Sequence, residues 1–295
     1  MPCSSGSTDV TVYLNGEYCP LEEAKVPVLD RGFLFGDGVY EVIPAYGGRL
    51  FRCDHHLERL ERSLREIRIP NPHTREEWCA IFSRLIEAGE GEDQSVYLQV
   101  TRGVAKRDHA FPDHVVPTVF AMANPIVTLG REVLDRGIDA VTRPDIRWAR
   151  CDIKAVTLLA NVLMRQEAKE EGAMEAILVR GGLATEGAAS NLFIVRDGTI
   201  ITPPKGPRLL PGITRDLVLE IAGSHGLSYR EADIPETELR LADEVWMTSS
   251  TKEVVPVTRL DGQPVGDGRP GPVWQRMYAL YQDYKAALRT GDIGD

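Results

Sequence analysis

The chain has 295 residues, of which 43% are hydrophobic and 26% are charged, and its formal net charge is -10. This ordinary globular composition excludes disordered and fibrous proteins, and the length suits two domains with sizeable cores. The negative charge disfavours nucleic acids and anionic membranes as main partners, since both require clustered lysine and arginine.

Residues 1–123 are predicted to form a small α+β domain. Asn15-Gly16 is a dipeptide favoured in tight hairpin turns, and Asp54 is a plausible N-cap for a helix that ends before Pro70. Thr74-x-x-Glu77 predicts a capping box at the start of a second helix. The expected hairpins and strands are Val10–Cys19, Val39–Phe51, Ser95–Arg102 and Thr118–Ala123.

Residues 124–130 are predicted to be an interdomain linker, because proline and glycine interrupt a stretch without clear periodicity. Residues 131–295 then form a larger second domain with helices starting near Val156, Thr214 and Pro272. Its expected strands are Glu175–Val179, Leu192–Val195, Thr199–Thr202 and Glu244–Met247. Many short strands with a few helices predict a second α+β domain around a barrel-like sheet.

The cysteines predict a reducing compartment. Their count is odd, with no C-x-x-C pair, so free thiols are favoured over a disulfide framework. They are Cys3, Cys19, Cys53, Cys79 and Cys151. The first residues show no basic region followed by an apolar stretch, and no run approaches a membrane span. The sequence therefore predicts a cytoplasmic protein.

Lys154 is the main candidate for a catalytic residue. It directly precedes the predicted apolar helix Val156–Leu163, and a cation at a helix N-terminus opposes the helix dipole, which disfavours a purely structural role. Burial disfavours the charged form of an amine, and a neutral amine attacks carbonyl groups. Glu186, the helix start Gly212–Arg215 and the hydroxyl run Thr248–Thr251 follow it. Together these parts suit a pyridoxal phosphate site.

Five stretches in order carry a family resemblance. They are Asp30–Val42, Arg107–His109, Arg147–Lys154, Thr185–Asn191 and Gly212–Asp216. With them the chain resembles the fold-type IV, or class IV, pyridoxal-phosphate-dependent aminotransferases, and most closely the D-amino acid (D-alanine) aminotransferases. The resemblance implies a small N-terminal α/β sandwich domain and a larger C-terminal domain with a pseudo-barrel sheet. It also implies a homodimer whose active site is shared across the interface.

The resemblance assigns cofactor-binding roles to six residues. Lys154 would hold the aldehyde of pyridoxal 5'-phosphate as a Schiff base and act as general acid and base. Glu186 would keep the pyridine nitrogen protonated, so that the ring accepts the electrons released when the substrate loses its Cα proton. The groups expected at the phosphate are the guanidinium of Arg59, the helix N-terminal amides of Ile213 and Thr214, and the hydroxyl of Ser250.

The same resemblance assigns the substrate-binding residues. Tyr40 would bind the α-carboxylate together with Arg107 and His109 from the neighbouring subunit, and Arg147 would lie near the substrate. For Arg147, a surface ion pair with Asp145 is the competing interpretation. The chain departs from the family pattern at a few positions. These are Asp108, where a small residue is expected, and Ala188 and Ala189, where some members have serines.

The function implied is transamination of D-amino acids (D-alanine, D-glutamate or D-aspartate) with 2-oxo acids such as 2-oxoglutarate or pyruvate. Alternatives within the same fold are a branched-chain L-amino acid aminotransferase, an (R)-amine transaminase and an aminodeoxychorismate lyase. The Arg107-x-His109 pair favours the D-amino acid reading over all three. A protein that binds pyridoxal phosphate or another anion without catalysis is the non-enzyme alternative. No metal is expected, because the adjacent His55 and His56 diverge on a helix.

Overall fold

The structure is a computed structural model that describes residues 10–294, and it divides into two compact units. Unit 1 contains the chain as far as Ile126, the short segment Lys154–Thr157 and the residues from Gly291 onward. Unit 2 contains Val127–Ile153 and Leu158–Thr290. Across residues 10–294, no helix combines the length and apolar character needed to cross a membrane. The four cysteines within this range are free thiols, and Cys3 lies outside it.

Unit 1 is built on a six-stranded antiparallel sheet with the order β2-β1-β6-β5-β3-β4. Its strands are β1 (Thr11–Leu14), β2 (Glu17–Pro20), β3 (Gly38–Tyr46), β4 (Arg49–Leu50), β5 (Asp93–Thr101) and β6 (Thr118–Pro125). Its helices are α1 (Arg31–Phe35), α2 (Cys53–Glu66) and α3 (Arg75–Ala88). Helix α2 packs against β3, and α3 packs against β1, β5 and β6.

Local sequence signals explain several of these elements. The β1–β2 hairpin turns at Asn15-Gly16, where both residues have positive φ, as the dipeptide predicts. The predicted capping box is confirmed, since the Thr74 hydroxyl accepts from the Glu77 amide and the Glu77 carboxylate accepts from the Thr74 amide. The prediction that Asp54 caps α2 was wrong. The cap position is Arg52, with φ 53° and no side-chain cap, and Asp54 lies in the first turn.

The alternation of β3 separates two chemical environments. Val39, Glu41 and Ile43 are fully buried, whereas Tyr40 and Val42 between them are only half-buried. Because side chains alternate along a strand, Tyr40 and Glu41 point to opposite faces of the sheet.

Unit 2 is built on a ten-stranded mixed sheet, in which nine strands follow the order β12-β11-β10-β14-β15-β7-β8-β9-β13 and β16 pairs with β15. Its strands are β7 (Ile138–Pro144), β8 (Glu175–Arg180), β9 (Leu183–Gly187), β10 (Asn191–Arg196), β11 (Thr199–Thr202), β12 (Tyr229–Glu231), β13 (Ile234–Pro235), β14 (Glu244–Ser249), β15 (Glu253–Leu260) and β16 (Gln263–Pro264). Its helices are α4 (Arg131–Arg136), α5 (Leu159–Glu170), α6 (Ile213–Ser224), α7 (Glu236–Arg240) and α8 (Pro272–Thr290).

The sheet of unit 2 has parallel strands at its centre. Strand β7 runs parallel to β15 and β8, whereas most remaining neighbours are antiparallel. A cluster of aliphatic side chains, including Ile177, Leu192 and Val245, forms its core. The small antiparallel sheet and the larger curled mixed sheet confirm the predicted α+β class.

The predicted linker and the helix predicted at Val156 have boundaries that differ from the observed elements. Strand β6 continues through Asn124 to Pro125, so the first residues of the predicted linker belong to a strand. The helix predicted over Val156–Leu163 begins only at Leu159 and continues to Glu170. The break between the compact units lies between Ile126 and Val127. The division into domains 1–123 and 131–295 stays a prediction.

Candidate active site

In unit 1, Lys154 belongs to a short extended segment beside β3. The Tyr40 amide donates to the carbonyl of Lys154 at 3.0 Å, and the Val156 amide donates to the carbonyl of Gly38 at 3.1 Å. These bonds hold the backbone in a bridge and explain why no helix starts at Val156. The helix-dipole argument for Lys154 therefore does not apply. Its flanking residues Ile153 and Ala155 are buried, as expected.

The ammonium group of Lys154 lies against an aromatic ring. Its Nζ is 4.2 Å from the centre of the Tyr40 ring, a cation–π distance. Tyr40 in turn packs against Tyr97 of β5, with ring centres 5.9 Å apart. The Tyr97 hydroxyl donates to Gln99 at 2.7 Å, and burial, together with Tyr40, raises the pKa of Tyr97 to about 12. Unit 1 thus brings two predicted site residues, Lys154 and Tyr40, into contact.

Tyr97 and Gln99 are new to this site. They follow no motif, but β5 pairs with β3 so that Gln99 lies directly opposite Tyr40. Cross-strand neighbours share one face of a sheet, so these side chains extend the surface on which Tyr40 lies. Only the strand register reveals them.

On the opposite face of β3, Glu41 forms a buried cluster with helix α2. The Arg59 guanidinium donates to both carboxylate oxygens at 2.8 Å, and His56 Nδ1 lies 2.8 Å from Oε2. Burial would raise the pKa of Glu41, but the charge and hydrogen bonds of Arg59 and the contact with His56 bring it well below its ordinary value. Burial also lowers the pKa of His56. One edge of the Arg59 fork is thus committed to Glu41, and phosphate binding by Arg59 stays a prediction.

The loop between β5 and β6 carries Arg107 and His109. Both side chains lie against the ring of Phe35 in α1, at 5.4 Å for the Arg107 guanidinium carbon and 5.5 Å between the ring centres of His109 and Phe35. The carboxylate of Asp108 accepts from the Ala110 amide at 3.1 Å. The Asp108 side chain therefore stabilises the backbone of its own loop, while the side chains of Arg107 and His109 both contact the Phe35 ring.

In unit 2, Glu186 is a buried residue of β9, not part of a turn. Its carboxylate accepts from Arg147 Nη1, from Asn191 Nδ2 at 3.1 Å and from the Leu210 amide at 3.1 Å. Burial raises the pKa of Glu186 to about 7, although Arg147 and the Leu210 amide act in the opposite direction. A carboxyl group of this kind sits near the boundary between its charged and neutral forms at neutral pH.

Arg147 connects Glu186 to Asp145. Its Nε and Nη2 donate to the two oxygens of Asp145, each at 2.9 Å, and the Arg147 side chain is only 6% exposed. Burial alone would lower the pKa of Arg147, but Asp145 and Glu186 raise it. The ion pair with Asp145 exists, yet it is a buried part of a larger network and not a surface pair. A direct substrate contact by Arg147 stays a prediction.

The N-terminus of α6 offers backbone donors. Gly212 is the cap residue and provides no side-chain hydrogen bond, and no side chain caps the helix within residues 10–294. The amides of the first turn, those of Ile213 and Thr214 among them, lack intrahelical acceptors and favour an anion. A Cβ at Gly212 would collide with Asn191 Oδ1, the residue that also binds Glu186. Unit 2 therefore places Glu186 and the α6 N-terminus on either side of Asn191.

An unsatisfied hydroxyl lies on the same face. Thr248 of β14 is directly opposite Asn191 of β10, and its buried Oγ1 has no hydrogen-bond partner within the described part of the chain. Ser250 follows in the turn after β14 and is half-buried. Among the described residues, no hydrogen bond links Ser250 to Glu186 or Thr214.

The bend that follows Glu186 is held without hydroxyls at positions 188 and 189. The Ala188 amide donates to the carbonyl of Ala176, and Asn161 Nδ2 donates to the carbonyl of Ala188 at 2.7 Å. Ser190 donates to Glu175 at 2.8 Å. Backbone hydrogen bonds thus hold this bend although residues 188 and 189 are alanines.

These groups fit the chemistry of pyridoxal phosphate within each unit. Unit 1 supplies an amine beside an aromatic face, which suits attachment of an aldehyde. Unit 2 supplies a buried carboxyl for a ring nitrogen, uncapped helix amides for a phosphate and an unsatisfied hydroxyl.

Comparison with known proteins agrees with this chemistry. The family model for amino-transferase class IV matches residues 38–260. The D-alanine aminotransferase of Bacillus licheniformis is 43% identical over 92% of this chain and 96% of its own. Among solved structures, the branched-chain amino acid aminotransferase of Escherichia coli is 32% identical, with a TM-score of 0.89 over 93% of this chain and 94% of that one.

A third similar protein was solved with the cofactor. The branched-chain amino acid aminotransferase of Thermobaculum terrenum, in its pyridoxal-phosphate form, is 27% identical, with a TM-score of 0.82 over 94% of each chain. The match of the family model over most of the chain, the fold shared with these structures and the local fit of both units agree. The chain belongs to the class IV aminotransferases, which are pyridoxal-phosphate-dependent enzymes.

Proposed function

We propose that this enzyme transfers the amino group of D-amino acids to 2-oxo acids, with D-alanine, D-glutamate and D-aspartate as candidate donors and pyruvate or 2-oxoglutarate as acceptors. The observation that carries the proposal is the pairing of Arg107 and His109 on the Phe35 ring. Two donors that one loop holds against the same ring suit a substrate α-carboxylate. The similarity to the Bacillus licheniformis D-alanine aminotransferase supports the same substrate class.

Lys154 is proposed as the central catalytic residue. Bound pyridoxal phosphate supplies an aldehyde that takes up the amino group and a ring that accepts electrons from Cα. Lys154 would hold that aldehyde between turnovers and would carry the proton that leaves Cα. The Tyr40 ring supports its ammonium group at 4.2 Å and so orients the Nζ atom. The Tyr40 hydroxyl is proposed to bind the substrate carboxylate with Arg107 and His109.

Glu186 is proposed to hold a proton at the ring nitrogen. A buried carboxylate stabilises a protonated pyridine far more than water does, because the local dielectric constant is low. Asn191 and the Leu210 amide fix its position. The phosphate is assigned to the amides of Ile213 and Thr214.

Three further side chains receive proposed binding roles. Ser250 would donate its hydroxyl to the phosphate, and Arg59 would donate from its guanidinium group. Arg147 is proposed to lie beside the substrate as well as beside Glu186. For Ser250, support comes only from the sequence motif and from its position after β14.

A homodimer that shares its active sites is part of the proposal. Large apolar side chains are exposed around the Arg107 loop of unit 1, including Phe33 at 74% and Val116 at 79%. The backbone amide of Ala105 donates to the carbonyl of Leu29, and the backbone amide of Arg31 donates to the carbonyl of Gly103. The segment Leu29–Arg31 therefore lies beside the segment Gly103–Ala105. Contiguous exposed apolar surface marks an interface, and a second copy is the simplest partner. Arg107 and His109 would then serve the partner's site.

A cytoplasmic location also belongs to the proposal. Four free thiols among the described residues are compatible with a reducing compartment. Fractionation of the native host and immunodetection of the protein would test it.

The function is tested by one substrate panel. The purified holoenzyme is offered D- and L-amino acids with pyruvate or 2-oxoglutarate, and each half-reaction is followed separately. We expect turnover of D-alanine and related D-amino acids. Preference for L-leucine or L-valine would indicate a branched-chain enzyme. Preference for amines without a carboxylate would indicate an (R)-amine transaminase, and pyruvate release from aminodeoxychorismate would indicate a lyase. Absence of any turnover would favour a binding protein.

A further inference from the structure

Arg31, a buried residue of α1, donates hydrogen bonds to the loop that carries Arg107 and His109. Arg31 Nη1 donates to the carbonyl of Asp108 at 2.6 Å and to that of Ala110 at 3.3 Å. These two carbonyls flank His109 in sequence. One side chain, 4% exposed, therefore fixes the backbone on both sides of a proposed substrate-binding residue.

Arg31 is itself held by an ion pair. Its Nε donates to Asp37 at 2.8 Å, and Arg102 donates to the same carboxylate at 2.7 and 2.9 Å. Two guanidinium groups thus share one carboxylate, so a net positive charge remains. Backbone carbonyls accept from Nη1 of Arg31, and within residues 10–294 both of these carbonyls belong to the loop.

A second contact of the same cluster holds the loop further along. The Arg102 guanidinium lies 3.6 Å from the centre of the Phe111 ring and also donates to the carbonyls of Ile67 and Arg68. At the base of the loop, Gly103 has φ 85°, and a Cβ there would collide with the carbonyl of Val116. The loop is consequently held through Phe111, and at its base the backbone packs too closely to admit a side chain at position 103.

We propose that Arg31, paired with Asp37, is a positioning residue that sets Arg107 and His109 for the substrate α-carboxylate. The inference rests on the proposed function, because it gives the loop a substrate to bind. Arg31 touches no reacting atom in this scheme. It fixes the loop backbone, and Phe35 on the same helix supports the two side chains.

The test compares two classes of substrate. In Arg31→Gln holoenzyme, we expect the second-order rate constant of the half-reaction with D-alanine to fall about 10- to 100-fold, as for lost hydrogen bonds to a charged group. With an amine that lacks a carboxylate, such as D-alaninamide, the rate constant should change much less. The cofactor absorption spectrum should remain that of the wild type.

A double-mutant cycle then links Arg31 to the loop. If Arg31 acts through the two loop residues, adding Arg31→Gln to the combined variant Arg107→Ala and His109→Ala should cost little further activity on D-alanine. Additive losses would overturn the proposal. So would equal losses on D-alanine and on D-alaninamide.

A readout independent of activity is the exposure of the loop. Trypsin should cleave the Arg31→Gln holoenzyme after Lys106 and Arg107 faster than the wild type, as measured by mass spectrometry of the released peptides. Arg75→Gln, which removes a surface ion pair with Asp54 in the same unit, should leave this cleavage unchanged. Unchanged cleavage in Arg31→Gln would count against the proposal.

A milder variant guards against misfolding. Arg31→Lys keeps a cation beside Asp37 but loses the fork that reaches two carbonyls. It should show the same substrate discrimination to a smaller degree, and a variant as active as wild type on D-alanine would contradict the inference. Failure of the proposed function would give a different result, because Arg107→Ala alone would then leave D-alanine turnover unaffected.

Discussion

Arg147 binds Glu186 with one nitrogen of a guanidinium group whose other edge is held by Asp145. The Glu186 carboxyl group, which is proposed to bind the ring nitrogen, is therefore positioned by an arginine that Asp145 itself holds in place. Burial nevertheless raises the pKa of Glu186 to about 7, so the ionisation of this carboxyl group would respond to a further positive charge. A protonated ring nitrogen would supply such a charge and favour the ionised carboxylate.

Glu186→Gln should retain the cofactor but slow the chemical step. An amide cannot stabilise a protonated ring nitrogen as a carboxylate does, so we expect a loss of about 10²–10³-fold, comparable to removal of one electrostatic contact in an active site. Single-turnover kinetics with D-alanine measure the effect. Glu236→Gln, which removes an exposed ion pair with Arg240, is the control. An unchanged rate would show that Glu186 serves only the Arg147 network.

Lys154→Ala should lose both the covalent anchor and the proton carrier. Loss of general acid–base catalysis alone costs about 10²–10⁴-fold in rate. In the wild type, borohydride reduction followed by peptide mapping should place the pyridoxyl group on Lys154. Lys169→Ala and Lys205→Ala are matched controls and should be reduced at Lys154 as before. A pyridoxyl label on Lys169 or Lys205 of the wild type would refute the assignment.

Arg107→Ala should weaken the use of D-amino acids and leave the cofactor spectrum intact. The expected loss is about 2–5 kcal/mol if the charge pair with the substrate is largely buried. The half-reaction with D-alanine at increasing concentration gives the change in KM and in the rate constant.

Subunit mixing tests whether the loop acts on the neighbouring site. A heterodimer of Arg107→Ala and Lys154→Ala subunits contains one site with both its lysine and an intact partner loop. Partial recovery of activity is therefore expected once subunits exchange. Demonstrated exchange without recovery would mean that Arg107 serves its own subunit or no site.

The Glu41 cluster predicts a stability loss in mild acid. The pKa of His56 in the folded protein is lowered, chiefly by burial, so the unfolded state binds a proton at higher pH, near 6.5. The free energy of unfolding should then fall as the pH drops below that value. The pKa of Glu41 is also lowered, so its stabilisation is present above about 4.5 and is lost as the pH falls further.

His56→Gln keeps a donor for Glu41 without a titrating ring. Its free energy of unfolding should depend less on pH between about pH 5 and pH 6.5 than that of the wild type. Urea unfolding of the holoenzyme at several pH values measures this. His225→Gln, at the end of α6, is the control. If the free energy of unfolding depended on pH equally in wild type and His56→Gln, His56 would be excluded as the source of that dependence.

Turn and cap chemistry made much of the fold predictable. Asn15-Gly16 and the Thr74 capping box specify their geometry within four residues, so no distant contact is needed to recognise them. The predicted helix at Val156 failed because its backbone hydrogen bonds go to β3, at Gly38 and Tyr40. Such distant pairing overrides local helix propensity and leaves no local signal.

Apolar periodicity could not distinguish core from outer surface. Leu159, Val162 and Leu163 resemble a buried helix face in the sequence, yet they are exposed in the folded chain. Periodicity reports that a face is apolar, not which surface covers it.

Sequence motifs name Lys154 and Glu186 as candidate site residues, and their roles stay predictions. Motifs do not indicate which distant residues contact one another. Glu41 and Tyr97 become visible only through strand alternation and register, and Arg31 only through the carbonyls that it contacts. Their interactions join residues far apart in sequence, and a single sequence contains no record of such pairs.

The four-residue segment Lys154–Thr157 has a consequence for how the chain matures. It belongs to unit 1, whereas the chain on both sides of it belongs to unit 2. During synthesis, β3 leaves the ribosome long before Lys154 does, and the two meet only after the intervening strands have been made. Contacts of such long sequence separation form late and slow folding. Attachment of the cofactor to Lys154 would therefore mark a late stage of maturation, and a truncated chain ending before Leu158 would carry the lysine without Glu186 and without the part of unit 2 that begins at Leu158.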